Sequence, residues 1–287
     1  MTSTLQLITK DELIAKFKEI EAMGWIENYR RGNDGAVGNI LEDLLGIPEN
    51  NLPIPNAAEW ELKSQRSTTK SLTTLCHVEP SPRAASLVQN MLLPLYGWEH
   101  KNAGMPGFAI DEKSFRSTTI ASTFTDRGFK LKVNRKEQRI EFIFDSSKCS
   151  ERHSDWLKSV DLRVGLGPFK VIPYWGFNDL YTKAGTKLLN CFYVLADVKR
   201  EGGKEFFHYN KVLMLKSVNM DKFIDAIESG FVYVDFDART GHNHGTKFRI
   251  NFKDIPKVYK EVVQVFVRLP AIYPPNYSSV SSTEQST

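Results

Sequence analysis

The stretch Asn56-Ala57-Ala58-Glu59-Trp60-Glu61-Leu62-Lys63 decides which fold and which chemistry the chain is expected to have. Apolar Trp60 and Leu62 alternate with charged Glu61 and Lys63, and this period of two predicts a β-strand. Successive side chains of a strand point to opposite faces. Leu62 should therefore enter the core, while Glu61 and Lys63 share a polar face. A carboxylate that binds a divalent cation, next to an ammonium group, suits phosphodiester hydrolysis.

A Glu-x-Lys tripeptide is weak evidence alone, because a surface ion pair on an edge strand would look the same. Two neighbours strengthen it. Glu42 falls on a predicted helix, and Asn56 falls in a loop five residues before Glu61. A helix acid, a loop residue and the strand pair are thus placed to converge on one metal site. Oxygen ligands favour Mg²⁺.

Helices are predicted before this strand. Thr9 and Glu12 form a capping-box pattern, and apolar residues then recur at helical spacing until Gly24. A second helix is predicted over Ala36–Leu45, with Gly46 as its stop.

The later segments predict further strands, with a buried strand at 190–198, and one short helix. The predicted elements are a strand neighbouring the Glu-x-Lys strand at 72–78, a hairpin at 129–133 and 139–144, strands at 190–198 and 211–215, a helix at 220–229, and paired strands at 231–237 and 246–252 joined by a loop at 238–245. Residues 257–267 fit either a strand or a helix. From Asn276 onward serine and threonine dominate, which predicts a disordered tail over 276–287.

The composition is that of an ordinary globular protein and limits the function classes. Among 287 residues the net charge is +4, so charge alone does not indicate nucleic acid. Three widely spaced cysteines, Cys76, Cys149 and Cys191, argue against a disulfide framework or a zinc site. No apolar run has membrane-spanning length and the first residues lack a signal pattern, so a cytoplasmic protein is expected.

Several blocks in the same order resemble the MvaI/BcnI family of type II restriction endonucleases. They are RGNDGAVGNILEDLL at 31–45, Glu49-Asn50-Asn51, EWELK at 59–63, KSLTTLCH at 70–77 and HNHGTKFRIN at 242–251. The strand-nicking enzyme MutH is similar more distantly, through the Gly-x-x-x-Glu helix and the Glu-x-Lys strand.

The resemblance implies an α/β (α+β) PD-(D/E)xK fold, with a mixed central sheet flanked by helices. It implies one restriction-endonuclease domain over 1–275, with a catalytic lobe and a DNA-recognition lobe. It further implies a monomer that uses Mg²⁺ and cuts double-stranded DNA at a short site of two cytosines, a variable centre and two guanines. By position, Glu61 is implied as a metal ligand, Lys63 as the catalytic lysine and Glu42 as the helix glutamate that supports the site.

One position departs from the family, which has aspartate where this chain has Asn56. An amide oxygen is a weaker ligand for a hard cation than a carboxylate. The chain is then either an inactivated variant, as made to trap a DNA complex, or a natural member with weakened cleavage. Glu59 could take over as a ligand, although relatives carry an acid there beside their aspartate.

The implied DNA-binding residues lie in the flanking blocks: Arg31, His77, His242, His244, Lys247 and Arg249. His77 is expected at the central base pair, although an ordinary strand-end histidine is the alternative. Lys247 and Arg249 alternate on one strand face, where Arg249 would read guanine or merely hold a phosphate. His242 and His244 are expected in a DNA-contacting loop.

Three hypotheses follow for the function. The first is a Mg²⁺-dependent type II restriction endonuclease whose functional partner, not a bound subunit, is a DNA methyltransferase. The second is a sequence-specific DNA-binding protein with an inactive nuclease site, and the third is a MutH-like nicking enzyme.

Overall fold

The computed structural model describes residues 8–30, 35–47 and 60–267. Within these residues the chain forms a mixed α/β structure. The helices are α1 (Lys10–Ala22), α2 (Ala36–Leu45), α3 (Leu93–Tyr96), α4 (Ser154–Val164), α5 (Phe177–Leu188) and α6 (Met220–Glu228). The strands are β1 (Ile26–Glu27), β2 (Trp60–Arg66), β3 (Thr73–His77), β4 (Trp98–Glu99), β5 (Lys113–Thr119), β6 (Arg127–Asn134), β7 (Arg139–Cys149), β8 (Tyr174–Gly176), β9 (Asn190–Glu201), β10 (Lys204–Val218), β11 (Val232–Arg239), β12 (His242–Ile250) and β13 (Tyr259–Val267).

The first sheet carries the Glu-x-Lys strand at its edge. Its strand order is β1-β10-β9-β2, and β13 also pairs with β10. β2 runs parallel to β9, whereas β10 is antiparallel to its three partners. The sheet is therefore mixed, as predicted. Since β2 is the last strand of this sheet among the described residues, one of its two edges is not paired with another strand of the sheet.

Two helices cover one face of this sheet. α1 begins with the predicted capping box, in which Thr9 Oγ1 accepts from the Glu12 amide at 3.3 Å and the Thr9 amide donates to Glu12 Oε2 at 2.7 Å. α2 ends at Gly46, whose φ of 69° is readily adopted only by residues without a Cβ. The apolar faces of both helices pack on one core with Trp60 and Phe192 from the sheet.

A second sheet has the order β3-β12-β11-β5-β4, with antiparallel pairing throughout. A third, smaller sheet has the order β6-β7-β8. One large aromatic core joins the inner faces of these two sheets to the other face of the first sheet. The two larger sheets thus share a core, and the chain crosses between them just after β2.

The structure confirms most of the predicted elements. Both N-terminal helices, the Glu-x-Lys strand, the hairpin of β6 and β7, β9 and helix α6 lie where expected. The strand predicted over 211–215 is part of the longer β10, and the undecided segment 257–267 is mainly β13.

Two predictions about strand partners and lengths were wrong. β3 does not neighbour β2, because it pairs with β12 in the second sheet. The loop predicted over 238–245 is also wrong, since β11 and β12 continue to a tight turn at Thr240 and Gly241. Gly241 has a φ of 72°, which fits such a turn. On β12 the first four residues, His242 to Gly245, include no buried apolar side chain, so no apolar alternation reveals the strand there. On β11 the alternation does continue, through buried Ala238.

The tail predicted over 276–287 lies outside the described residues. In the described part of the chain, no helix has the length and apolar character needed to cross a membrane.

Trp60 anchors the start of β2, which gives a stability prediction. It is 4% exposed, and its ring lies 4.6 Å from that of Phe192. Replacing Trp60 with alanine should lower the free energy of unfolding by about 3–5 kcal/mol, because a large buried ring is lost and a cavity remains. Urea denaturation of the variant measures this, with Trp25→Ala as the matched control, since Trp25 is 43% exposed. Equal losses in the two variants would contradict the anchoring role.

Candidate active site and DNA-recognition face

The centre of the candidate site is the pair formed by Glu61 and Lys63. Lys63 Nζ lies 3.0 Å from Glu61 Oε1, and the two residues sit two positions apart on the edge strand β2. Their side chains are 4% and 13% exposed, for Glu61 and Lys63 respectively. The prediction of a shared face is confirmed. The shared face is not exposed at Glu61, which packs against buried residues of β9.

Burial explains why the two charges stay together. Glu61 pairs in register with Cys191, and Lys63 with Tyr193, both buried residues of β9. Burial raises the pKa of the Cys191 thiol to about 12 and raises the pKa of Tyr259 well above its usual value. These neighbours therefore stay neutral at ordinary pH. A buried carboxylate is costly unless it is paired, and Lys63 provides a compensating charge for Glu61.

A cleft with a volume of about 710 Å³ opens beside β2. Lys63 lines it together with Glu42 of α2, while Glu61 is set back beneath the surface. Gly38 brings α2 close to the strand, since a Cβ at this position would lie 3.3 Å from Ser64 Oγ. Glu42 follows one helical turn after Gly38 and so lies on the same side of α2. The helix acid and the strand lysine therefore share one cleft.

The opposite wall of the same cleft comes from the second sheet. Its lining includes Leu72, Thr73 and Thr74 at the start of β3, and Arg249 of β12. Arg249 was predicted to recognise DNA, and Lys63 to act in catalysis. The fold places both on one cleft.

The exposed face of the second sheet collects three of the predicted DNA-binding residues. Lys247 pairs in register with His77, and Arg249 with Thr74. His77 is exposed, whereas the neighbours of Lys247 and Arg249 along the strand, Phe248 and Ile250, are buried. His77, Lys247 and Arg249 thus form one continuous patch, which we call the polar face.

Acidic residues that the sequence analysis missed are bonded to these cations. Arg249 donates to Asp235 Oδ2 at 2.8 Å and Lys247 lies 3.2 Å from Asp237 Oδ2, both across from β12 to β11. Arg116 of β5 also pairs with Asp237, at 2.9 Å. The alternation of Asp235 and Asp237 with buried residues of β11 was a visible signal for a polar strand face.

The ion pair with Asp235 orients Arg249 without using all its donors. Arg249 also donates from Nη2 to the Leu72 carbonyl at 2.8 Å. A guanidinium has five N–H groups, and these two bonds to described residues occupy two of them. Three N–H groups remain, and the one on Nε is buried.

His242 and His244 lie at the distal end of β12. The prediction that they belong to a loop is wrong, since the strand begins at His242. Their rings stack at 6.2 Å with an interplanar angle of 13°, and both side chains are exposed. His242 pairs in register with Arg239, which alternates with Asp237 along β11. They therefore extend the polar face at its far edge.

Two of the predicted site residues, Asn56 and Arg31, lie outside the described residues, as does the alternative ligand Glu59. In the part of the chain that is described, no cluster of three or more His, Cys, Asp or Glu side chains could hold a metal. Among the described residues, Glu42 contributes a carboxylate to the lining of the cleft, and the carboxylate of Glu61 lies buried beside Lys63.

The fold and the cleft define a restriction-endonuclease-like protein. The chain is similar in structure to the restriction endonuclease MvaI in complex with its cognate DNA substrate, with a TM-score of 0.71 over 89% of this chain and 97% of that one, at 23% identity. It also matches MvaI in the absence of DNA, with a TM-score of 0.51 over 92% and 100% of the two chains, at 23% identity. No curated protein sequence matches the chain.

The sequence model of the MvaI/BcnI restriction endonuclease family matches residues 14–259. The chain therefore belongs to this family, and by class it is a site-specific deoxyribonuclease.

Proposed function

We propose that the chain hydrolyses double-stranded DNA in the presence of Mg²⁺, at a short site of two cytosines, a variable centre and two guanines. One observation carries the proposal: Lys63 Nζ lies 3.0 Å from the buried Glu61 carboxylate, beside a cleft that Arg249 lines from the other side. MvaI, whose fold the chain shares, is known in complex with its cognate DNA. The proposed domain is 1–275 and acts as a monomer.

The carboxylates of Glu42 and Glu61 are oxygen donors of the kind that Mg²⁺ prefers. This ion keeps several waters and typically binds through one or two carboxylates together with substrate phosphate. Glu61 and Asn56 are the proposed protein ligands, with Glu42 supporting the site. A bound divalent cation would polarise the phosphate and lower the pKa of a water molecule.

The chain's own residues have separate tasks in this mechanism. Glu61 presents a carboxylate whose position is set by the 3.0 Å contact with Lys63 and by burial against β9. Lys63 holds a positive charge at the cleft wall, where it orients the attacking water and offsets the charge that develops on the phosphate. Arg249, Lys247 and His77 on the polar face contact base edges, and His242, His244 and Arg31 contact the DNA beside them.

The test is incubation of plasmid DNA with the protein in Mg²⁺, followed by sequencing of any ends. Discrete ends at one short sequence support the proposal, and Ca²⁺ in place of Mg²⁺ serves as a control that permits binding without cleavage in many nucleases. A DNA methyltransferase gene beside this one would support a restriction-modification pair. Ends at random sequences would contradict the specificity.

A second candidate function is sequence-specific DNA binding without cleavage. Asn56 favours it, since the neutral amide replaces the family's carboxylate. A MutH-like nicking activity is the third, and single-strand breaks in the plasmid would indicate it. The block at 242–251 favours the first two functions, because it resembles the family's recognition element.

Arg249 gives a prediction that separates base reading from phosphate contact. Arg249→Ala should cost about 1–3 kcal/mol of discrimination at one base pair, because a bidentate contact to guanine is lost. Competitive binding in Ca²⁺ against a library varied one base pair at a time measures this. Lys260→Ala is the control, since this exposed lysine of β13 is remote from the polar face in the strand order. A uniform loss across the library would place Arg249 on the DNA backbone instead.

A further inference from the structure

Three side chains form a hydrogen-bonded bridge between the two larger sheets. Thr73 Oγ1, at the start of β3, donates to Gln65 Oε1 of β2 at 3.0 Å and lies 2.6 Å from the Tyr193 hydroxyl of β9. Gln65 and Tyr193 belong to the first sheet, and Thr73 belongs to the second. We call this set the Thr73 bridge.

The direction of the bonds follows from counting protons. Thr73 has one hydroxyl proton, which it donates to Gln65. The Tyr193 hydroxyl must then be the donor to Thr73 Oγ1. Tyr193 is fully buried, and burial raises its pKa, so the phenol keeps its proton. The bridge is satisfied only when Thr73 supplies both a donor and an acceptor.

One end of the bridge reaches the residue proposed to read DNA. The Leu72 carbonyl, adjacent to Thr73, accepts from Arg249 Nη2 at 2.8 Å. Arg249 also pairs in register with Thr74. A shift of the Arg249 guanidinium would therefore act directly on the backbone that carries Thr73.

The other end reaches the catalytic pair. Gln65 lies two residues after Lys63 on the same face of β2, and Tyr193 is the register partner of Lys63 on β9. β2 is an edge strand with β9 as its only strand partner among the described residues. The bridge is thus a side-chain contact that ties this edge strand to the recognition sheet.

We propose that Thr73, together with Gln65 and Tyr193, is a positioning element that couples DNA recognition at Arg249 to the placement of Lys63. This inference rests on the proposed function, because it assumes that Arg249 reads DNA and that Lys63 acts in cleavage. It adds three residues that touch neither the scissile phosphate nor a base in the proposed mechanism.

The test compares Thr73→Val with Thr73→Ser. The parent protein is whichever form cleaves DNA, the unmodified chain or its Asn56→Asp variant. Valine keeps the shape and removes the hydroxyl, whereas serine keeps the hydroxyl. Thr73→Val should lower the single-turnover rate on the cognate site by about 2- to 30-fold, the range of couplings carried by such networks. Affinity for that site in Ca²⁺ should stay within about threefold, and Thr73→Ser should restore the rate.

Discrimination separates positioning from simple destabilisation. In the parent, a site altered at the base pair read by Arg249 should be cut more slowly than the cognate site. Thr73→Val should lower the ratio of the cleavage rate at the cognate site to the rate at the altered site. A merely less stable protein would cut both sites more slowly by the same factor. In a double-mutant cycle, Thr73→Val should add little to the loss already caused by Arg249→Ala.

A second measurement does not depend on cleavage. Hydrogen exchange of the amides in β2 should slow when cognate DNA is added in Ca²⁺, more than with altered DNA, and Thr73→Val should remove this difference. A parent that neither cuts nor selects DNA would overturn the proposed function. A parent that cuts selectively, with Thr73→Val unchanged in rate, discrimination and exchange, would overturn the coupling alone.

Discussion

Replacing Asn56 with aspartate is expected to raise the rate of DNA cleavage in Mg²⁺ by roughly 100-fold or more. Even residues that only support a metal ligand typically change metal affinity or activity about 10- to 100-fold, and Asn56 is proposed as a ligand itself. A carboxylate adds a negative charge and a harder oxygen than an amide. Affinity for DNA measured in Ca²⁺ should change far less, because the polar face is untouched.

The matched control is Asn51→Asp, which adds the same charge to the same segment of the chain. It should leave the cleavage rate near its starting value. If the unmodified protein already cuts at full rate and Asn56→Asp adds nothing, then Asn56 is not the ligand. Glu59 would then be the next residue to test.

The local chemistry of the site could be predicted from the sequence because it depends on short-range rules. The period of two in β2 places Glu61 and Lys63 side by side, and the structure shows their contact at 3.0 Å. The stop signal at Gly46 and the capping box at Thr9 are equally local, and they set the limits of the two helices that cover the first sheet.

The burial of Glu61 and its ion pair with Lys63 could not be predicted in this way. Whether Glu61 is exposed depends on what packs against β2 from distant parts of the chain, here Cys191 and Tyr259. The alternation pattern of β2 fits an exposed polar face and a buried ion pair equally well. The partner of β3 was missed for the same reason, since strand pairing over long sequence distances leaves no periodic signal.

The polar face shows that the identity of a single residue in the sequence does not reveal its ion-pair partner. Arg249 and Lys247 looked like free cations in the sequence, but Asp235 and Asp237 hold them. Isolated surface ion pairs contribute little to the free energy of unfolding. The main effect of these pairs is to orient the N–H groups of Arg249 and Lys247. A guanidinium already aimed by a carboxylate loses less conformational freedom when it meets a base.

Removal of the Lys63 ammonium should abolish measurable cleavage. In the Asn56→Asp background, Lys63→Ala is expected to lower the single-turnover rate by at least about 10²- to 10³-fold, the typical effect of losing one preorganised group that stabilises developing charge. Lys199→Ala is the matched control. Lys199 forms the same kind of i,i+2 pair, with Glu201 at 2.9 Å on the adjacent strand β9, but in an exposed position.

Lys63→Ala should also lower the free energy of unfolding, so a second variant must separate the loss of stability from the loss of catalysis. The buried Glu61 carboxylate loses a paired charge, which typically costs about 3–5 kcal/mol. The double variant Glu61→Gln with Lys63→Met removes both charges and should recover most of that stability in urea denaturation, because neutral replacement of a buried pair is often tolerated. It should remain inactive on plasmid. A Lys63→Ala protein that cuts as fast as the Lys199→Ala control would show that the catalytic cation lies elsewhere in the cleft. A double variant that regains cleavage together with stability would show that Lys63 acts on the fold alone.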